Sequence, residues 1–142
     1  MMADATELSR ARTRLYDAVA AELNASPWRV HRVTPAQIVA PTVYLDSVEL
    51  GLDTVAGAGF VVATFPVVIV ADGQVRRQVE ELDDLLAHVW TAALGVGDPS
   101  DSRPVALDVG GPSLRAHVLR VGVPVLAYSL CAPSLVTAGG NP

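Results

Sequence analysis

The stretch FVVATFPVVIVADGQVRRQVEELDDLLAHVWTAAL, residues 60 to 94, decides the fold of this chain. Its first third is apolar almost throughout, which is typical of a β-strand covered on both faces. Asp72-Gly73 predicts a tight turn, and Asp72 can cap a following helix. From Val75 to Ala93 apolar residues recur every three or four positions, which predicts a long amphipathic helix. Pro66 donates no ladder hydrogen bond and therefore implies an edge, a bulge or a bend.

Elements on either side of this stretch follow from periodicity and from turn residues. We predict a first helix over about 5–24, started by a capping-box-like pair of Asp4 and Glu7. Short strands over 28–33 and 41–45 come next, and then a flexible glycine-rich hairpin loop over 51–59. Downstream we predict a loop over 95–103, a strand over 105–109, a turn over 110–112 and a long strand over 114–130.

This order of elements, α-β-β-β-α-β-β, predicts an α+β fold. Neighbouring strands connected by hairpins favour a mostly antiparallel β-sheet, packed with two α-helices. We expect residues 1–131 to form a single domain and residues 132–142 to be a loosely ordered C-terminal tail, because the final residues are small and lose all periodicity.

Composition narrows the classes of function. The chain has 142 residues and a net charge of −5, and all ten of its basic residues are arginine. A negative balance disfavours a general nucleic-acid binder, which needs a clustered basic face. One cysteine, Cys131, leaves no partner for an internal disulfide. The N-terminal residues lack the apolar region of a signal peptide, and no apolar run is long enough for a bilayer, so we expect a soluble intracellular protein without a membrane partner.

No motif in the sequence indicates catalysis, a cofactor or a metal. His31, His88 and His117 lie in different elements and lack metal-ligand spacing. The segment 110–113, GGPS, matches neither a nucleophile elbow nor a phosphate loop, and it predicts a hairpin turn. We therefore expect a protein that is not an enzyme, with no catalytic, cofactor-binding or metal-binding residues.

Charged residues on the second helix and on the last strand are candidates for a subunit interface. Cations are disfavoured in the first turn of a helix, so Arg76 and Arg77 are either ordinary surface residues or ligands for a partner's carboxylates. Arginines on an otherwise apolar strand suggest an exposed face or a subunit contact. The candidate interface residues are Arg76, Arg77, Glu80, Asp84, Arg115 and Arg120, with His117 on the same face as Arg115.

The sequence also contains more apolar strand than two helices can cover. The runs 61–70 and 121–130 are hydrophobic on both faces. Either the sheet folds on itself or a neighbouring subunit covers the remainder, and we favour self-association.

Several phrases along the chain resemble the tail terminator, or tail completion, proteins of long-tailed siphovirus-like phages, particularly those of actinobacteria. The similarity covers roughly residues 8–131 and consists of element order and short phrases. These phrases are ARTRLYDAV (11–19), WRVHR (28–32), APTVYL (40–45), FPVVIVADG (65–73) and LDVGGPSLRAHV (107–118).

The resemblance implies a structural virion protein at the head-proximal end of the tail, assembled in the host cytoplasm. Such proteins form a ring, usually of six subunits, that caps the tail tube, stops its polymerisation and provides the head-joining surface. The implied partners are copies of the same chain, the tail tube protein and a head-completion protein, while DNA passes through the lumen without specific binding. On this interpretation the glycine-rich loop contacts the tube or lines the lumen; its candidate residues are Gly51, Asp53, Gly57 and Gly59.

Two alternatives stay open from the sequence. A head-completion or stopper protein shares the size and the α/β character. A small-ligand-binding domain of ferredoxin-like type would need a pocket with converging polar groups, and the sequence names no such set.

Overall fold

Two helices and six strands make up the described part of the chain. The computed structural model describes residues 6–24, 28–52, 59–71, 75–108 and 114–126. In chain order the elements are α1 (Glu7–Glu22), β1 (Arg29–His31), β2 (Thr42–Leu45), β3 (Glu49–Leu52), β4 (Phe60–Val70), α2 (Val75–Leu94), β5 (Asp98–Leu107) and β6 (Leu114–Leu126). The predicted α+β class is confirmed, with one strand, β3, added to the predicted order.

All six strands belong to one sheet with the order β1-β2-β4-β6-β5, and β3 pairs with β4 beside β2. Every pairing is antiparallel except that of β1 with β2, which is parallel. The predicted mostly antiparallel sheet is therefore confirmed. The apolar strand β4 lies at its centre and pairs with β6 along its whole length.

The two faces of β4 pack against different clusters. Ala63, Phe65, Val67 and Ile69 belong to the main core, to which both helices contribute. Val68 and Val70 point to the opposite face and pack in a smaller cluster that contains no helix residue. Side chains alternate along a strand, so successive residues of β4 enter the two clusters in turn. A strand that is apolar at every position is expected to be covered on both faces, and all four residues from 67 to 70 are buried.

Pro66 is tolerated in the central strand because of a gap between β2 and β3. β2 pairs with positions 67–70 of β4, and β3 pairs with positions 61–64. The Pro66 carbonyl points into this gap and accepts a hydrogen bond of 2.8 Å from the Asp46 amide. In an antiparallel ladder the N–H and C=O of one residue face the same neighbour. The missing Pro66 N–H therefore lies where no ladder partner requires it.

Helix α1 begins at Glu7, two residues later than predicted, and its N-cap is Thr6. The side chain of Thr6 accepts a hydrogen bond of 3.1 Å from the Ser9 amide and is the N-cap. The predicted start at Asp4 lies outside the described residues. The apolar stripe of the helix is placed as its spacing predicts, since Ala11, Leu15 and Val19 are fully buried.

Helix α2 buries most of its predicted stripe. Leu82, Leu85, Val89 and Ala93 lie in the main core, with Leu86 and Trp90 packed against it. Val79 differs, because it is 41% exposed. The predicted cap, Asp72, lies outside the described residues.

Two strands occupy segments that the sequence assigns to loops. β3 covers the start of the predicted 51–59 loop, and β5 begins at Asp98 inside the predicted 95–103 loop. Both have polar or glycine-containing sequences and lie where one side of the strand faces no other described strand. The predicted turn over 110–112 and the predicted tail over 132–142 lie outside the described residues, and so does the end of the last predicted strand.

Candidate interaction surfaces on the two sides of the second helix

Helix α2 has a cleft along each of its long sides. One side presents Val79, Leu82 and Asp83 towards β5 and β6. The other side presents Glu81, Asp84 and His88 towards the end of α1. The spacing of these residues separates them, because positions three or four apart share one face of a helix.

The cleft between α2 and the β5–β6 edge has a volume of about 600 Å³ and is here called the basic cleft. Its floor is apolar, with Pro104 and Ala106 from β5. Arg115 and His117 line its sheet wall, and Asp83 lines its helix wall. No ion pair joins Arg115 to Asp83, although both side chains are described.

His117, which lines the basic cleft, has a buried ring nitrogen, Nδ1, without a hydrogen-bond partner among the described residues. A buried polar atom without a partner costs about 1–3 kcal/mol. Arg115 and His117 are both odd-numbered residues of β6, as are the core residues Leu119 and Val121, so strand alternation directs them to the helix-covered face. The predicted shared face is therefore observed.

The second cleft, between α1 and α2, has a volume of about 380 Å³ and is here called the acidic cleft. Glu22, Glu81 and Asp84 line it. His88 Nδ1 lies 3.0 Å from a Glu22 carboxylate oxygen, so Glu22 is already engaged. One oxygen of Glu81 is buried without a hydrogen-bond partner among the described residues, and the Asp84 side chain is exposed.

Arg120 lies apart from Arg115, on the other face of the sheet. Its register partners are Pro66 and Asp101, on the face opposite the helices. Its guanidinium pairs with the Glu49 carboxylate across β4 and lies 4.0 Å from Asp101. The predicted interface set is therefore not brought together, because an arginine five positions from another on a strand points the opposite way.

The remaining predicted residues are placed as follows. Glu80 is exposed on α2, and Arg76 and Arg77 lie in the first turn of that helix, with side chains outside the described part of the structure. Gly51 lies in β3 opposite Val62. Gly59 precedes β4 with a φ of 92°, a conformation that glycine adopts without steric cost. Asp53 and Gly57 lie outside the described residues.

Sequence reasoning missed a cluster centred on Arg12. The Arg12 guanidinium donates hydrogen bonds to the carbonyls of Arg32 at 3.1 Å, Leu45 at 3.2 Å and Asp46 at 2.9 Å. It also lies 5.1 Å from the centre of the Phe65 ring, within the range of a cation–π contact.

Arg32 completes this cluster by donating hydrogen bonds from the end of β1 back to α1. Its side chain donates to Thr13 Oγ1 at 2.9 Å and to Ser9 Oγ at 2.8 Å, both on α1. Burial, and then the nearby Arg32 guanidinium, lower the pKa of Arg12, while Asp46 acts in the opposite direction. Burial, and then Asp46, raise the pKa of Tyr44 above its ordinary value. The hydrogen bonds of this cluster connect α1 to the ends of β1 and β2, and the cluster contains no reactive group.

Two further observations bear on the class of function. Within the described ranges, no group of three or more His, Cys, Asp or Glu side chains could hold a metal ion. Among the described helices, none has the length and apolar character needed to cross a membrane.

Comparison of the chain with protein-family models and with curated proteins finds no match.

Proposed function

We propose that this chain is a structural phage virion protein, a tail terminator. In this role its copies form a ring, with six as the expected number, on the head-proximal end of the tail tube. The ring stops polymerisation of the tube protein and provides the surface that joins the head. Assembly takes place in the host cytoplasm and the product remains in the virion.

The observation that carries this proposal is the difference between the charged groups on the two sides of α2. Arg115 lines one side together with His117 and Asp83, whereas the carboxylates Glu22, Glu81 and Asp84 line the other together with His88. A closed ring requires heterologous contacts, in which two different patches of neighbouring copies meet. A molecule with complementary patches on separate sides is suited to such contacts.

The sequence resemblance supplies the biological context. Four of its five phrases meet at the Arg12 cluster, through Arg12, Arg32, Leu45 and Phe65. In this chain the phrases therefore contribute to joining α1 to the sheet. A net charge of −5 also suits a lumen through which DNA passes without binding.

Deletion of the gene in the phage genome tests the proposal. Without a terminator the tube protein continues to polymerise, so we expect overlong tails in electron micrographs of lysates. Supplying the chain in trans should restore tails of uniform length. Tails of normal length beside DNA-leaking heads would instead identify a head-completion or stopper protein.

The basic cleft favours a second candidate, a small-ligand-binding domain. A volume of about 600 Å³ falls within the range of small-molecule sites, which combine apolar walls with a few polar groups. Arg115 and His117 are polar groups of this kind. A chain that binds a small organic acid, and whose deletion leaves tail length and head joining unchanged, would establish this candidate.

A further inference from the structure

We infer that the basic cleft receives carboxylates from the acidic cleft surface of a second copy of this chain. The inference deepens the proposed function, on which it rests, by naming the two surfaces that join neighbouring subunits. In this contact the Arg115 guanidinium of one copy pairs with Asp84 of the next.

The chemistry of the basic cleft selects a carboxylate. Arg115 offers a planar guanidinium that pairs with carboxylates through parallel hydrogen bonds. His117 lines the same wall, but its Nδ1, unpartnered among the described residues, is buried and is not exposed to an incoming side chain. The incoming Asp84 carboxylate therefore accepts hydrogen bonds from Arg115, and its single methylene lies near the apolar Pro104 and Ala106.

Asp83 influences the side from which a carboxylate can approach the basic cleft. It lies on the helix wall, opposite the cation on the sheet wall. Like charges repel, so an incoming carboxylate is kept away from α2 and led to Arg115. An interface residue that repels the wrong approach contributes to specificity as well as to contact.

Charge complementarity identifies the second copy as the occupant. The acidic cleft lies on the other side of the same helix, so its carboxylates cannot reach the basic cleft of their own chain. Asp84 is exposed and is therefore the carboxylate of this surface that a second copy can reach. Because the two surfaces differ, the contact leaves one unused surface at each end of a pair, and further copies can add until the rotation between subunits closes a ring.

A charge exchange in the full chain tests this pairing. We would measure the association constant by sedimentation velocity for the wild-type chain, Arg115→Glu, Asp84→Arg and the double variant. Each single reversal places like charges together, so we expect association to weaken by about tenfold or more. The double variant restores opposite charges and should regain most of the wild-type association.

Arg103→Glu is the matched control for the change in net charge. Arg103 is exposed on β5, and its register partner is Val118, on the face opposite the helices. We expect this variant to associate as the wild-type chain does. Circular dichroism of each variant separates loss of association from loss of folding.

Three results would overturn the inference. The first is that Arg115→Glu associates as well as Arg103→Glu does. The second is that the double variant regains no association. The third is a wild-type chain that stays monomeric at millimolar concentration, which leaves the terminator proposal to the deletion experiment.

A calorimetric titration with butyrate distinguishes a free acid from a second copy. Saturable binding to a monomer, lost in Arg115→Glu but kept in Arg103→Glu, in a chain whose double variant regains no association, would assign the basic cleft to a small organic acid and overturn the subunit pairing. Absence of binding, together with restored association in the double variant, supports the second copy.

Discussion

The guanidinium of Arg12 connects α1 to the carbonyls at the ends of β1 and β2. It donates to three backbone carbonyls, those of Arg32, Leu45 and Asp46. Leu45 is the last residue of β2, and Arg32 and Asp46 directly follow β1 and β2. Each hydrogen bond to a charged group contributes about 1.5–3 kcal/mol, and leaving several acceptors unsatisfied is costly.

Replacing Arg12 should therefore destabilise the fold. We expect Arg12→Ala to lower the free energy of unfolding by about 2–4 kcal/mol, as measured by urea denaturation. Arg12→Lys should recover only part of this loss, because an ammonium group cannot reproduce the fork of a guanidinium. Arg14→Ala is the matched control, since Arg14 is exposed on the same helix. Equal losses in Arg12→Ala and Arg14→Ala would show that the cluster does not stabilise the fold.

Sequence reasoning could not have singled out Arg12. Three arginines, at positions 10, 12 and 14, share one short segment of α1, and their spacing alone gives no reason to choose Arg12. What distinguishes Arg12 is the distant placement of Leu45 and Phe65 beside it. The one available signal was that Arg12, Arg32, Leu45 and Phe65 each belong to a phrase of the family resemblance.

At the level of elements, the close approach of the α2–β5 connection to β6 sets a constraint at Gly97. The Gly97 amide donates to the Ala93 carbonyl at 2.9 Å, which ends α2. A Cβ atom at Gly97 would overlap the Gly122 carbonyl oxygen of β6. Backbone cannot move aside as a flexible side chain can, so this position requires glycine.

Gly97→Ala should therefore be destabilising. We expect its free energy of unfolding to fall by about 2–3 kcal/mol, because the overlap forces α2, β5 or β6 to shift. Gly95→Ala is the control, since a Cβ there meets only the Ala92 carbonyl oxygen at an ordinary 3.5 Å. Thermal denaturation of the two variants provides the measurement. A Gly97→Ala protein as stable as Gly95→Ala would contradict the contact.

Elements with strong periodicity were predictable, and edge elements were not. The continuous apolar run of β4 favours a strand, and the helical spacing of apolar residues in α2 favours a helix. Both elements occur where predicted. β5 is exposed along most of its length and contains Pro99 and Pro104, so its sequence resembles a loop. It becomes a strand because β6 supplies hydrogen-bond partners, which is a tertiary effect on a weak local preference.

At the scale of the whole molecule, the candidate site depends on which face of the sheet each residue occupies. Alternation placed Arg115 and His117 together, as the sequence predicted. The basic cleft itself was not predictable, because it needs the distance between α2 and the β5–β6 edge. The exposure of Val79 follows from the same separation, since the helix stripe extends beyond the part of the sheet that it covers.

Because β4 contributes to both hydrophobic clusters, we expect the described elements to unfold together. Trp28 packs against the main core beside β1, and Trp90 packs against it from α2. Single-tryptophan variants, Trp28→Phe and Trp90→Phe, therefore report on different parts of the molecule. In each variant we expect the tryptophan fluorescence and far-ultraviolet circular dichroism to give the same urea midpoint, as a two-state transition requires.

The comparison must be made within each variant, since the two substitutions can change stability by different amounts. Coincident midpoints in both variants would support the predicted single domain. A Trp28 signal lost at a lower urea concentration than the helical signal would contradict it, and would mean that β1 and its surroundings separate before the sheet and α2 unfold.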